Sequence, residues 1–480
     1  MLLWCAPAAL ASPSSPVHVT GTVAATAPDG SGGYYIGGSF TAVDGVPINN
    51  AAHILANGSL DQSWNPDPTG CGYSDVRALA VSGSTVYLGG FFCSITDAAG
   101  TGTVARDDAA AVSAATGRDT GWDPAPVGPV YALAVSGSTV YLGGEFSRIN
   151  DPANTTTGGI ARNNAAAVSA TTGLDTGWNP NPNGYVAALA LSGSTVYLGG
   201  RFSSITDSTG TTTVTRYHAA AVNATTGHDT GWNPDPYFGK ANPNSGSVNA
   251  LAVSGTTVYI GGYFTAIAGA TPTARVPRDN AAAVNATTGL GTGWDPNPNN
   301  AVNAIAVSGS TVYLGGYFGL ITGPAGTIEE IDSGAAAVNA TTGLGTGWSD
   351  SLGTVNAIAA SGSTVYAGGA SFATAASTAP TGAAITRIKS HHNGNITLKL
   401  DTPGRGRLKI VATAPPNHGV FARERLKARR RGALQVLVKP SAAGTKLLRR
   451  HHKLKLALSI TYTPTGGKPH TLSYSGLPLG

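Results

Sequence analysis

Two dense clusters of basic residues lie near the C-terminus of this 480-residue chain. The first is Arg423-Glu-Arg-Leu-Lys-Ala-Arg-Arg-Arg431, and the second is Lys446-Leu-Leu-Arg-Arg-His-His-Lys453. Guanidinium and ammonium groups form charge-assisted hydrogen bonds with phosphate, sulfate and carboxylate groups. We therefore expect residues 423–455 to bind a polyanion. The side chains predicted to contact it are Arg429, Arg430, Arg431, Arg449, Arg450 and Lys453.

The charge of the chain is divided unevenly along its length. Residues 1–382 contain 10 Lys and Arg against 22 Asp and Glu, whereas residues 383–480 contain 19 against 2. This division indicates a domain boundary near residue 382 and an acidic partner for the basic part. An anionic polymer of the cell envelope is the favoured partner, and the acidic first part of the chain itself is an alternative. A merely solubilising surface is a third interpretation. Nucleic acid is disfavoured because few aromatic residues are interleaved with the basic ones.

An insertion offers a second candidate site. The segment Tyr237-Phe-Gly-Lys-Ala-Asn-Pro-Asn-Ser245 is the longest departure from the internal repeats described below. Functional residues are often carried by such exposed loops, so Tyr237, Phe238 and Lys240 could contact a ligand. The favoured interpretation is that the two aromatic rings pack over the edge of a sheet.

No catalytic centre is predicted. The chain lacks the motifs of serine hydrolases, P-loop proteins and zinc peptidases. Three acids, Glu329, Glu330 and Asp332, are close enough in sequence to bind a cation, but a solvated loop is favoured. His218 and His228 are isolated and are expected at the surface.

No cofactor is expected either. The Asp and Asn residues of the Trp-Asn-Pro-Asp-Pro loops carry the oxygen ligands that calcium prefers, but their spacing matches no ordered calcium loop. One arginine recurs before a repeated Ala-Ala-Ala segment, which favours a structural role over an anion-binding ring. The recurring arginines are Arg106, Arg162, Arg216 and Arg278.

Two cysteines flank a predicted hairpin. If Ser82-Gly-Ser84 is its turn, Cys93 lies opposite Tyr73, two residues from Cys71. A small adjustment would bring the two sulfur atoms into bonding distance. We predict a Cys71–Cys93 disulfide; two independent small residues are the alternative.

The strongest signal in the chain is internal repetition. A motif of the form Val-Tyr-Leu-Gly-Gly-x-Phe occurs seven times with small variations, and its second glycine recurs after 52, 54, 56, 62, 54 and 53 residues. Self-similarity at a nearly fixed period is typical of repeat architectures. The second glycines are Gly38, Gly90, Gly144, Gly200, Gly262, Gly316 and Gly369.

Each repeat is predicted to form four short strands. In the fifth copy these are 248–253, 257–264, 281–286 and a short outer strand around 291–294. Such a sheet cannot bury both faces by itself, but radial stacking of neighbouring sheets buries them. We therefore predict an all-β fold, with a seven-bladed β-propeller over residues 17–382. A six-bladed ring with a decayed seventh hairpin is the alternative.

The seventh copy is irregular because no Thr-Gly-Trp element follows its motif. Residues 382–385 are predicted to form its third strand. Its outer strand is then missing, or is supplied by residues 395–400 or by the N-terminus.

The first copy resembles a known family of repeats. It reads Ala27-Pro-Asp-Gly30, then Tyr35-Ile-Gly-Gly-Ser-Phe-Thr-Ala-Val-Asp-Gly-Val-Pro47, then Ala56-Asn-Gly-Ser-Leu-Asp-Gln-Ser-Trp-Asn-Pro66. This pattern is similar to the bacterial delta-60 repeat, and the resemblance extends over about residues 17–372. It implies a propeller in an exported or surface protein. It implies no particular activity.

The basic part is predicted to be a separate small β-sandwich over residues 383–480. Its alternating segments are 396–400, 408–412, 434–438 and 454–462. The segment from Ala442 onwards resembles a basic β-module found at the C-termini of exported proteins from GC-rich bacteria.

The other end of the chain suggests export. Residues 1–16 contain an apolar stretch ending in Ala-Leu-Ala, which resembles a secretory signal or else forms a disordered N-terminus. No apolar run is long enough for a transmembrane helix. We expect a monomer that is extracellular or held at the cell envelope.

Together these features predict a non-enzymatic binding or scaffold protein. Its ligand on the propeller face is unidentified, and its basic domain attaches it to an envelope polyanion. Two alternatives are an enzyme acting on a glycan or other polymer in the propeller funnel, and a purely structural adhesin.

Overall fold

The computed structural model describes residues 16–479 apart from 71, 150–158, 208, 240–245, 270–273, 324–326, 331–333, 352, 363, 378–383, 392, 403–404, 415–418, 430–431, 452–453 and 466–469. The described chain is almost entirely antiparallel β-structure, which confirms the all-β prediction. No helix in these residues is long and apolar enough to cross a membrane.

The first three repeats contribute fourteen strands to this structure. They are β1 (Val17–Pro28), β2 (Tyr34–Val43), β3 (Val46–Pro47), β4 (Ala51–Ile54), β5 (Asp75–Ser82), β6 (Thr85–Phe91), β7 (Ser94–Thr96), β8 (Thr103–Ala105), β9 (Ala109–Ser113), β10 (Val130–Ser136), β11 (Thr139–Gly144), β12 (Arg148–Ile149), β13 (Ile160–Ala161) and β14 (Ala165–Ser169).

The remaining repeats follow the same order. Their strands are β15 (Val186–Ser192), β16 (Thr195–Gly200), β17 (Ser204–Thr206), β18 (Thr213–Thr215), β19 (Ala219–Asn223), β20 (Ser247–Ser254), β21 (Thr257–Tyr263), β22 (Ala266–Ala268), β23 (Arg275–Pro277), β24 (Ala281–Asn285), β25 (Val302–Ser308), β26 (Thr311–Gly316), β27 (Leu320–Gly323), β28 (Thr327–Glu330), β29 (Gly334–Asn339), β30 (Gly345–Ser351), β31 (Val355–Ser361) and β32 (Thr364–Ser377).

A hairpin joins the first two strands of each repeat, and in the first six repeats the second strand also pairs with a later strand. In the fourth copy, Ser192 pairs with Thr195 beside the turn, and Gly199 pairs with Ala219 of the third strand. The alternation of the residues around the Ser-Gly-Ser turn sets this register.

The two glycines of the repeated motif are required by close approaches. A Cβ on the first, at Gly199, would lie 2.5 Å from Cγ1 of Val248 in the next repeat. A Cβ on the second, at Gly200, would collide with the backbone oxygen of Tyr185 in its own repeat. Neither space accommodates a methyl group, so both positions need glycine.

The contacts of the first glycine arrange the repeats in a closed cycle. Each one meets a valine of the following repeat, and Gly368 of the last repeat meets Val23 of the first. The first strands of neighbouring repeats also touch in the same cyclic order, which makes the molecule propeller-like. The pairs are Gly37–Val76, Gly89–Val130, Gly143–Val186, Gly199–Val248, Gly261–Val302, Gly315–Val355 and Gly368–Val23.

The N-terminal strand joins the two ends of the repeat array. The start of β1 pairs with β32, with Val17 opposite Ala373, while the rest of β1 pairs with β2. The N-terminus therefore pairs with the second strand of the seventh copy and does not form its outer strand. Residues 395–400 do not supply that strand either, because Ile396–Thr402 pairs within the basic part. The prediction that residues 382–385 form the third strand of the seventh copy is wrong, because Ala384–Ser390 pairs instead with a strand of the basic part.

Tryptophan and tyrosine side chains connect neighbouring repeats. Trp232 Nε1 donates to the backbone oxygen of Asn285, and the Tyr197 hydroxyl donates to that of Ala286, both over 2.9 Å. The two rings meet edge to face, with centroids 5.1 Å apart. In this way each of repeats one to five caps the third strand of the next repeat with hydrogen-bonded aromatic side chains.

The predicted fourth strand is mostly reduced to a single bridge, such as Val222 with Asp229. Only in the sixth of the described repeats does it become a full strand, β30, paired with β29. Prolines follow the tryptophan in repeats one to five, whereas Trp348 is followed by Ser-Asp-Ser. Proline cannot donate to a ladder, which explains the difference.

The basic part contains seven strands in two sheets. The first sheet has the order β33 (Ala384–Ser390), β34 (Ile396–Thr402) and β37 (Gly432–Val438). The second contains β39 (His470–Leu479), β38 (Leu454–Pro464), β35 (Gly406–Thr413) and β36 (Val420–Ala428), in that order. Apolar side chains of both sheets share one core, including Leu398, Ile410 and Ile460.

Helix α1 (Ala442–His451) lies between β37 and β38, where only a loop was expected. The Ser441 hydroxyl caps its N-terminus by accepting a hydrogen bond from the Gly444 amide over 3.1 Å. A serine at this position is a sequence signal for a helix start that could have revealed it. The basic run 423–428, also expected between strands, lies within β36.

One acid occupies a position that favours asparagine. Asp108 has a φ of 59°, in the left-handed region, and burial raises its pKa to about 6. At the equivalent position in three other repeats, an asparagine amide donates to a backbone oxygen 18 residues further on, which a carboxylate cannot do. Those residues are Asn50, Asn164 and Asn280.

We expect Gly199→Ala to lower the free energy of unfolding by about 1–3 kcal/mol because the new methyl overpacks against Val248. Adding Val248→Ala should restore part of the loss. Urea unfolding of the variants measures both effects. Gly293→Ala is the control, since a Cβ there meets nothing within 4 Å. Equal losses of stability for Gly199→Ala and Gly293→Ala would contradict a special role for the contact between Gly199 and Val248.

We expect Asp108→Asn to raise stability at pH 7 by about 1 kcal/mol, through the amide donor that it introduces. The pKa of Asp108 is higher in the folded protein than its usual 3.8, so its contribution to stability falls as pH rises from about 4 through about 6. The Asp108→Asn variant should lack this decline in stability, which thermal unfolding experiments across the same pH range measure. Asp107→Asn, an exposed change of equal charge, should keep it.

Candidate functional site

Basic side chains alternate along two adjacent strands of the basic part. Leu408 and Ile410 of β35 point into the core, so the residues between them face the solvent. In β36 the exposed residues alternate in the same way. We call the exposed set of five the cationic ladder; it consists of Arg407, Lys409, Arg423, Arg425 and Lys427.

The strand register places like charges opposite each other. Arg407 lies across from Lys427, and Lys409 lies across from Arg425. Like charges in directly opposed positions destabilise a sheet. Within the described part of the chain, no carboxylate forms an ion pair with any residue of the ladder. Glu424, on the same strand, is half-buried opposite Ile410.

Two shallow grooves follow the ladder. One, of about 370 Å³, lies between Arg407, Lys409, Arg425 and Lys427, beside the threonines of β38. The other, of about 420 Å³, continues past Arg407 and Lys427 to Arg405 and Arg429. The Arg405 Nε donates to the backbone oxygen of Arg429 over 3.2 Å. The grooves form one continuous surface suited to an extended anion.

The ladder lies away from the contact between the two parts of the chain. In the second sheet, β39 pairs with β28 of the sixth repeat, with Thr327 opposite Tyr474. The ladder strands β35 and β36 are at the opposite edge of that sheet. Contact with the repeats includes this backbone pairing and the packing of Leu344 against the core of the basic part, and it leaves the cationic edge uncovered.

The predicted basic residues are distributed over separate places. Arg429 is exposed at the end of the larger groove. Arg449 and Arg450 are exposed in the last turn of α1, where cations stabilise the helix dipole. Arg430, Arg431 and Lys453 lie outside the described residues.

The sequence-based prediction missed Arg407 and Lys409 because it looked for dense runs of basic residues. A second signal was available in the sequence. Basic residues at alternating positions, as in Arg407-Leu-Lys409 and Arg423-Glu-Arg-Leu-Lys427, share one face of a strand. Two such segments that pair in register produce a ladder.

The aromatic residues of the insertion are packed, as the favoured interpretation expected. The Arg275 guanidinium lies 4.6 Å from the centre of the Tyr237 ring and pairs with Asp235 over 2.7 Å. The Phe238 ring lies 4.3 Å from that of Tyr263. Lys240 lies outside the described residues.

The recurring arginines hold loops of their own repeats, as a structural role requires. The Arg162 guanidinium donates from Nε and Nη2 to the carboxylate of Asp175. In the fifth repeat the acid is replaced by Gly291, and Arg278 donates instead to the backbone oxygens of Thr292 and Trp294. These arginines do not form an anion-binding ring.

His218 was expected at the surface, and this expectation is wrong. It is 1% exposed and has a φ of 62°, at the position where other repeats carry Asn164 or Asn280. The sequence shows that a histidine replaces asparagine here, but only the structure shows that the position is buried.

Cys93 is disulfide-bonded. Its backbone amide donates to the oxygen of Thr69 over 2.9 Å, and a Cβ on Gly70 would lie 3.4 Å from its own Cβ. Cys71 directly follows Gly70 in the sequence and lies outside the described residues. This placement supports the predicted pairing with Cys71.

Comparison with protein-family models and with curated proteins finds no match. Among solved structures, the computationally designed Ika8 protein has a TM-score of 0.43 and 14% identity, covering 75% of this chain and 97% of that chain. The Mitotic Checkpoint Complex has a TM-score of 0.43 and 13% identity, covering 78% and 98%. Sqt1 of Saccharomyces cerevisiae has a TM-score of 0.42 and 8% identity, covering 77% and 99%. At these values the likeness carries no functional argument.

We expect peptide mapping without reduction to link Cys71 to Cys93. Replacing both with serine should lower the free energy of unfolding by about 3 kcal/mol, because the closed loop restricts the unfolded chain. Chemical unfolding with and without reductant measures this difference. A free Cys71 thiol, or a peptide joining Cys93 to Cys5, would contradict the prediction.

Proposed function

We propose that this protein is a non-enzymatic, exported binding protein whose basic part attaches it to a linear polyanion of the cell envelope. The observation that carries the proposal is the cationic ladder. Its five charges face solvent on two paired strands and have no carboxylate partner in the described chain.

The geometry of the ladder suits a polymer better than a small anion. Alternate residues of a strand are about 7 Å apart, and opposed residues about 5 Å apart. The cations therefore form a two-row array along β35 and β36, extended by Arg405 and Arg429. A chain of phosphodiester groups binds such an array through several charge-assisted hydrogen bonds at once. Its charges also relieve the repulsion between the opposed cations.

We also propose the finer fold. The repeats form a seven-bladed propeller, supported by the seven glycine–valine contacts that return from Gly368 to Val23. The basic part is a β-sandwich, supported by the shared core of its two sheets. Membership of the delta-60 repeat group and export to the envelope remain proposals that rest on the repeat pattern and the N-terminal residues.

We expect replacement of Arg407, Lys409, Arg425 and Lys427 with glutamine to weaken binding to purified poly(glycerol phosphate). At about 1 kcal/mol per basic residue, the loss is roughly two to three orders of magnitude at low salt. Titration at several salt concentrations should show a shallower salt dependence for this ladder variant than for the wild type.

The matched control replaces four other exposed cations of the basic part, Lys389, Lys399, Lys439 and Lys446, with glutamine. It has the same net charge as the ladder variant, so a difference between the two isolates the effect of arrangement. Equal weakening in both variants would show that only net charge matters and would contradict the proposed site.

We expect the full-length wild type and the control variant to fractionate with the cell envelope. The ladder variant should appear mainly in the medium, because its attachment to the polymer is lost. Immunoblotting of the two fractions measures the distribution. Salt-insensitive retention of all three proteins would contradict attachment through the ladder.

A further inference from the structure

A cavity of about 540 Å³ opens where the first strands of the repeats meet. In each repeat this strand contains Val-x-Ala, and the valine and the alanine are the same in all seven copies. The middle residue differs between copies. In order around the cycle it is Ala24, Arg77, Tyr131, Ala187, Asn249, Asn303 and Asn356.

A β-bulge directs this variable residue into the cavity. The register shifts between Val130 and Ala132, so Tyr131 has no partner on the opposite strand. The same shift occurs at the equivalent point of every repeat. Bulges re-aim side chains, and here all seven variable residues line the cavity. The residue type therefore differs between repeats at the position that faces the cavity, and it is the same at the flanking positions that pack against neighbouring repeats.

The seven residues divide into two walls. Asn249, Asn303 and Asn356 follow one another on three successive strands, and the Asn303 amide donates to the Asn356 side-chain oxygen over 3.3 Å. Arg77 and Tyr131 form the other wall, with the guanidinium carbon 4.9 Å from the ring centre. Ala24 and Ala187 separate the two walls at their junctions.

The second wall is already organised by hydrogen bonds. Arg77 Nε donates to Asp75 over 2.6 Å, and the Tyr131 hydroxyl donates to Glu145 over 3.1 Å. The Tyr185 ring meets that of Tyr131 edge to face, with centroids 6.0 Å apart. Burial, with a contribution from Glu145, raises the pKa of Tyr131 to about 12, so its hydroxyl stays protonated at neutral pH.

We propose that this cavity binds a neutral saccharide. Each asparagine amide both donates and accepts hydrogen bonds, which matches the hydroxyl groups of a sugar. The tyrosine rings provide apolar surface for its C–H faces. Among the described residues that line the cavity, the one cation is Arg77, which is already paired with Asp75, and Glu145 adds a negative charge, so the site does not favour an anion.

The size of the cavity agrees with a small ligand. Its volume falls within the range of small-molecule sites. Next to it lies a smaller cavity of about 200 Å³, whose lining includes the constant alanines and leucines such as Leu133 and Leu189. A saccharide is therefore expected to bind in the larger of the two cavities.

The test uses the full-length protein on a glycan array with neutral and uronate-containing oligosaccharides. The neutral oligosaccharide with the strongest signal is then measured by titration calorimetry. We expect Asn249→Ala, Asn303→Ala and Asn356→Ala together to weaken its binding at least 30-fold, and Tyr131→Ala about tenfold. Alanine already occupies this bulge in two repeats, so the fold should tolerate these changes.

Ala24→Trp provides a second variant that fills the space between the walls without removing any hydrogen bond. This variant should also abolish binding of the neutral oligosaccharide. If the triple asparagine variant does not fold, the result for Ala24→Trp decides the test. The ladder variant should bind the neutral saccharide as the wild type does, which separates this site from polyanion attachment. Absence of neutral-glycan binding by the wild type, or unchanged binding by both cavity variants, would overturn the proposal.

Discussion

The close approach of each repeat's second strand to the valine of the next repeat is the constraint on which the rest of the structure depends. The first glycine of the motif leaves room for that valine, and the second leaves room for the bulged backbone of its own first strand. Larger residues would push neighbouring repeats apart. Since the same contact links Gly368 to Val23, the array returns to its starting point and the last repeat packs against the first.

These glycine–valine contacts between neighbouring repeats explain why the repeats are nearly identical except in a few places. Residues that pack between repeats, such as Trp232 and Tyr197, contact the following copy and cannot vary independently of it. The bulged residue faces an open space and is free of that requirement. Differences between repeats, such as Tyr131 in one and Asn303 in another, therefore lie where a ligand can bind. They do not disturb the packing between repeats.

The basic part follows a different arrangement. One edge of its second sheet continues into the sixth repeat through β39 and β28, while the other edge carries the cationic ladder. Backbone pairing and the packing of Leu344 against the core of the basic part hold the two parts together at this edge, away from the cationic ladder. The charges remain exposed for a partner outside the chain, and the repulsion between opposed cations favours one that is anionic.

Local patterns in the sequence determined the strands, the hairpin turns and the repeat period, because two-residue alternation and Ser-Gly-Ser turns act over short distances. They also placed the oppositely charged parts of the chain on either side of residue 382. Only the tertiary structure decided that Ala384–Ser390 belongs to the basic part, that Arg407 faces Lys427, and that Arg77, Tyr131 and the three asparagines share one cavity. These relations join residues far apart in sequence, through strand register and ring closure, which no local pattern contains.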